Sequence, residues 1–175
     1  ISFARQGASA FPQSTIPGLT EAQLLRRTGR ISEAEAQLRT LNTAHPDDVE
    51  VINQLAITVA VAGRVDEARQ LFESIAGSSS AVQLNLADVL LQDGQAQAAL
   101  QVLEPLAAVP GADADTLTLY GNALARTGNA TAAEAAYQQA LSLDPDWQRA
   151  RAGLNQLNEQ QQVTGGQTVE MPALA

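Results

Sequence analysis

Residues 114–147 read ADTLTLYGNALARTGNATAAEAAYQQALSLDPDW, and the order of residue types in this stretch decides the fold. Leu117, Tyr120, Gly121 and Leu124 follow the i, i+3, i+4, i+7 spacing that places side chains on one face of a helix. Gly128 then stands where a helix must end in a left-handed residue, a conformation that a residue without Cβ enters at little cost. A second apolar-periodic stretch follows, so the segment reads as a helical hairpin. Ala133 falls where its two helices cross, and a methyl group there lets the backbones approach closely.

The same phrase recurs upstream. Arg27-Thr28-Gly29-Arg30 leads to Ala34, Val61-Ala62-Gly63-Arg64 to Ala68, and Gln92-Asp93-Gly94-Gln95 to Ala99, as Arg126-Thr127-Gly128-Asn129 leads to Ala133. Successive glycines lie 34, 31 and 34 residues apart, and a period of about 34 is that of a two-helix repeat. With Leu117 at the usual tryptophan place, Tyr120-Gly121 at the Leu-Gly place, Ala133, Tyr137, Ala140 and a terminal Pro145, the last unit resembles the tetratricopeptide repeat (TPR) family. The resemblance implies an all-α fold, a TPR α-solenoid of about four helical hairpins over residues 19–48, 49–79, 80–113 and 114–147. A C-terminal capping helix over residues 146–161 follows, opened by Asp146, with Arg149, Arg151, Gln156, Glu159 and Gln160 on a polar outer side.

The repeats differ in ways the sequence shows. The first hairpin has a short first helix behind Pro12, Pro17 and Gly18. The second ends in Gly77-Ser78-Ser79-Ser80, which clips its second helix by about a turn, and Pro110-Gly111 closes the third. Residues 1–18 read as an N-terminal extended segment, carrying Phe3, Phe11 and Ile16. Residues 162–175, with Gly165-Gly166 and Pro172, read as an extended or disordered tail.

Composition excludes several function classes. Net charge is −9, from 10 basic against 19 acidic residues, and every basic residue is Arg. Such a chain lacks the basic stripe that binds phosphate backbones or anionic membranes. It has no cysteine, hence no disulfide, thiolate metal site or cysteine nucleophile. No apolar run approaches the roughly 18 residues of a membrane span. His45, the one histidine, precedes Pro46 at a helix end, where the helix dipole favours it. Asp47-Asp48 and Asp144-Pro145-Asp146 fall between helices and read as caps rather than cation ligands, and Asn129 of Asn129-Ala130-Thr131 reads as an N-cap rather than a glycan acceptor. Without lysine the small-residue loops do not form a phosphate loop, and no nucleophile, base and orienting acid assemble. No catalytic residue, cofactor or metal is assigned.

What remains is surface. In TPR proteins the first helices of successive hairpins line a groove that holds a peptide or helix, and the matching positions here are Asn53, Ile57, Ala60 and Val61, then Leu84, Asp88 and Leu91, then Thr118, Asn122 and Arg126. Phe3 and Phe11 are candidates for a second contact. The lysine–asparagine clamp of the subgroup that grips chaperone C-termini is not matched. The resemblance thus implies a non-catalytic scaffold for a protein partner. Its Ala, Leu, Gln and Arg composition resembles the bacterial TPR lipoproteins of pilus assembly and secretion, including the Tad-type pilus. In that group the TPR protein is a pilotin or assembly factor for an outer-membrane secretin, a terminal segment of which is the expected partner. The chain starts at Ile1 rather than Met, which reads as a processed or truncated start that leaves room upstream for a signal segment or lipid-bearing Cys, and the pilotin resemblance implies location at the periplasmic face of the outer membrane. A cytoplasmic TPR adaptor and a self-assembling repeat protein are the alternatives.

Overall fold

The structure, a computed structural model, describes residues 14–166, and among them are nine α-helices and no strand. The chain divides after Asp93 into two units. The first contains α1 (Ile16–Arg27), α2 (Ile31–Ala44), α3 (Val49–Val61), α4 (Val65–Ser74) and α5 (Ser80–Gln92). The second contains α6 (Ala96–Ala107), α7 (Ala114–Arg126), α8 (Ala130–Leu143) and α9 (Gln148–Gly166). Within each unit a helix packs on its neighbour in sequence, and the alternate pairs α1 with α3, α3 with α5 and α7 with α9 also touch.

The turns form as the glycine spacing requires. Gly63 has φ +82° and Gly128 φ +85°, and the next residue donates back to the carbonyl five positions earlier, Arg64 to Val59 at 3.1 Å and Asn129 to Leu124 at 2.9 Å. This paired closure satisfies helix-end carbonyls that would otherwise be orphaned. Ala34, Ala68, Ala99 and Ala133 are all fully buried. First helices after the opening one start on side-chain caps: Asp48 accepts from Glu50 and Val51, Ser79 from Val82, and Asp113 from Thr116. Asn129 caps α8 by accepting from Ala132.

α4 has 10 residues against 14 in α2 and in α8, the clipping that the serine run foretells. Three details depart from the sequence reading, and Pro105 is a further one on which it is silent. α1 begins at Ile16 and has 12 residues, because Pro17 sits in its first turn, where a missing N–H costs nothing. Pro105 lies inside α6, near its end, where only the last turn loses a bond. Before α9 it is Asp144 rather than Asp146 that accepts a backbone N–H, that of Asp146 at 3.0 Å. α9 itself runs to Gly166, because the glutamines from Gln160 to Gln162 favour helix and no breaker intervenes before Gly165. Residues 162–166 are therefore helical, and the rest of the expected tail, like Phe3 and Phe11, lies outside the described residues.

Candidate partner-binding surface

In the first unit the face carried by α3 and α5 gathers four of the expected residues. Ile57, Ala60, Val61 and Asp88 line a hollow of about 150 Å³ together with Asn85 and Gln92. Val61 is 58% exposed, whereas Ile57 and Leu84 are half-buried. The hollow is apolar toward α3 and carries one carboxylate and two amides toward α5. Leu84 is not among its walls.

Two expected residues of this unit belong to the fold instead. Asn53 is 9% exposed, and its Oδ1 accepts from Asn85 Nδ2 at 3.0 Å, a bond that ties α3 to α5. Leu91 is buried. A side chain so placed is spent on packing and offers a partner almost no area.

In the second unit Asn122 and Arg126 come together in a hollow of about 250 Å³ with Tyr137, Gly153, Gln156 and Gln160. The Tyr137 hydroxyl donates to Asn122 Oδ1 at 2.8 Å. Its ring fills a slot between Gly121 of α7 and Gly153 of α9, where a Cβ on either glycine would lie 2.6 or 2.7 Å from ring carbon. Burial pushes the Tyr137 phenol above its ordinary value, and the charge of Arg126 opposes that rise. Thr118 is withdrawn from the surface: its hydroxyl donates to Ala114 O at 2.6 Å and accepts from Trp147 Nε1 at 3.0 Å.

The sequence reading did not anticipate Asn85 and Gln92, which stand one position past the expected Leu84 and Leu91. Their amides next to an apolar helix face were the available signal. It also missed a closed set of ion pairs on the first unit, in which Arg39 and Arg64 each bridge Glu35 and Glu67 at 2.5–3.0 Å. Those bonds hold both glutamates below the usual carboxylate range, Glu35 chiefly through Arg64 and Glu67 chiefly through Arg39. Among the described residues no cluster of three His, Cys, Asp or Glu side chains is placed to hold a metal, and no helix is long and apolar enough to cross a membrane.

Comparison with known proteins agrees with this architecture. Residues 19–81, 80–105 and 114–147 each match a family model described as tetratricopeptide repeat. Among solved structures, a MamA chain (residues 41 to its end) from Desulfovibrio magneticus RS-1 is 26% identical, with TM-score 0.72 over 82% of this chain and 82% of that one. TTC0263, a thermophilic TPR protein in Thermus thermophilus, is 16% identical with TM-score 0.73 over 90% and 88%. The APC/C hetero-tetramer Cut9–Hcn1 gives 19% identity and TM-score 0.80, covering 91% of this chain and 33% of that one. At under 25% identity the latter two show the fold alone. No curated protein sequence matches the chain.

Proposed function

The chain belongs to the tetratricopeptide repeat family, and from that premise we propose that it is a non-catalytic scaffold that holds an extended or helical segment of a protein partner against the face of its first helices. The observation that carries this reading is the hollow formed by Ile57, Ala60, Val61 and Asp88, an apolar strip with a polar edge. Covering such a strip removes apolar area from water, a gain of about 25 cal/mol per Å² from which the cost of association is then subtracted.

For the partner, we propose a terminal segment of an outer-membrane secretin, with the chain acting as an assembly factor of a bacterial pilus or secretion complex at the periplasmic face. The lysine-free Ala, Leu, Gln and Arg composition supports this finer reading. The test is co-purification of the full chain with secretin terminal segments, paired with fractionation of the cells that make it. Ile57→Asp and Val61→Asp should abolish capture while far-UV helicity persists, because each places an unpaired charge in a desolvated contact. Capture that survives both substitutions rejects the surface. Failure of every secretin segment, with another protein held through Ile57, rejects the partner and keeps the scaffold.

A further inference from the structure

Arg26 stands on α1 three residues before its turn glycine, the place taken by Ala60 in α3 and Leu91 in α5. Where its counterparts are apolar, this chain carries a guanidinium, and the side chain is half-buried. Its one hydrogen bond among the described residues is long: NH1 donates to Thr58 Oγ1 at 3.4 Å, while the Thr58 hydroxyl spends its own proton on Gln54 O at 2.7 Å. No carboxylate among the described residues pairs with Arg26. Burial alone moves its pKa, downward, with no acidic group opposing that shift.

Its neighbours in the same unit are treated differently. Arg30 pairs with Glu33, Arg39 and Arg64 with Glu35 and Glu67, and Arg69 with Asp66 and Glu73. Arg27 is exposed to solvent. In a chain with 19 acidic residues, leaving the partly desolvated cation without one is the anomaly. A guanidinium offers five N–H donors, and a carboxylate meets two of them in parallel.

We propose that Arg26 is the anchor for an aspartate or glutamate side chain of the partner segment. This deepens the scaffold reading and rests on it. Thr58, which Arg26 touches, stands three residues before Val61 on α3 and so beside it on the helix surface, and a segment whose carboxylate sits on Arg26 lays its adjoining residues over Val61, Ile57 and Ala60. Those adjoining residues are apolar. Asp88, on the far side of the hollow, repels a second carboxylate and so fixes which end of the segment carries the acid. The binding motif is one acidic residue followed or preceded by apolar ones, with the acid at the α1 end.

The experiment is selection from a displayed library of random peptides with the full chain, repeated on Arg26→Gln, Arg26→Lys, Arg26→Glu and Ile57→Asp, each first checked for unchanged far-UV helicity. The wild type should select an acidic residue at a fixed place beside apolar ones. Arg26→Gln should lose that acidic preference and bind the selected peptides about tenfold more weakly or worse. Arg26→Lys should keep the preference, and Arg26→Glu should turn it toward Lys and Arg. A role of Arg26 in packing alone predicts no such reversal. The proposal is overturned if wild-type peptides show no acidic preference, or if the preference persists in Arg26→Gln. If acidic selection depends on Arg26 but survives Ile57→Asp, the anchor stands and the α3–α5 surface falls. If no peptide is selected at all, both fall.

Discussion

The two units hold their second helices in different ways. In the first unit α2 and α4 are joined at the surface by Arg39, Arg64, Glu35 and Glu67, four charges in a closed alternation. In the second unit α8 is locked from within by Tyr137, which is 2% exposed and wedged against Gly121 and Gly153. The hairpin is the same, but one lock is electrostatic and wet whereas the other is aromatic and dry. The lesson is that the repeat prescribes where helices cross, through its Gly and Ala places, and leaves the bond between them open.

The largest effect should come from breaking the dry lock. Tyr137→Ala removes a buried ring and should cost about 3–5 kcal/mol in urea unfolding. Trp147, the only tryptophan, lies in the second unit and reports on it by fluorescence. Its transition should move more than the far-UV transition, which averages all helices, and equal shifts would erase the distinction between the units. Gly121→Val drives a side chain into the same ring and should cost about 1–3 kcal/mol by overpacking.

A control common to both units comes next. Gly63→Val and Gly128→Val should each cost on the order of 1–2 kcal/mol through backbone strain alone, since nothing lies within 4 Å of a Cβ at either position. Unequal costs would show that the turns, and not only the locks, differ between units.

The smallest effect belongs to the wet lock. Glu35→Gln should cost no more than about 1 kcal/mol and lose most of that in 1 M salt. The pH dependence separates the locks further. Glu35 and Glu67 are held low when folded, so their contribution is present above the unfolded carboxylate range, about 4.3, and drains as pH falls through the lower folded values. Tyr137 is held high, so its contribution is present below about 10 and is lost as pH rises through the folded value. Asp113, lowered by its cap bond to the Thr116 amide, adds an acid response of its own in the second unit. Acid titration followed by far-UV helicity and alkaline titration followed by Trp147 should resolve the two; a smaller acid response in Glu35→Gln with Glu67→Gln, with the share of Asp113 left in place, is the check.

How much was legible in the sequence follows from what each feature depends on. Gly63, Gly128, Ala34 and Ala133 were readable because a left-handed turn and a helix crossing restrict the residue type at one position. The clipped α4 was readable from Gly77 and the serines after it. Asn53 and Thr118 were not readable as buried, since what withdraws them is a partner one repeat away, Asn85 for the first and Trp147 for the second. Repeat position says which helix face a residue is on and does not say whether the neighbouring helix reaches it. The length of α9 was missed for the opposite reason: Gln160 to Val163 carry no apolar periodicity, yet nothing among them stops a helix already started.

The slot that receives Tyr137 has one wall on α7 and the other at Gly153 on α9. Synthesis proceeds from the N-terminus at about 5–20 residues per second, so when Tyr137 leaves the ribosome the Gly121 wall is already outside and the Gly153 wall has yet to emerge. A nascent chain halted before Gly153 presents a tyrosine ring with nothing to close over it, a ready mark for a chaperone or protease. Closure of the second unit therefore waits on α9, which brings Ala150 and Leu157 to the cluster around Tyr137 together with the Gly153 wall.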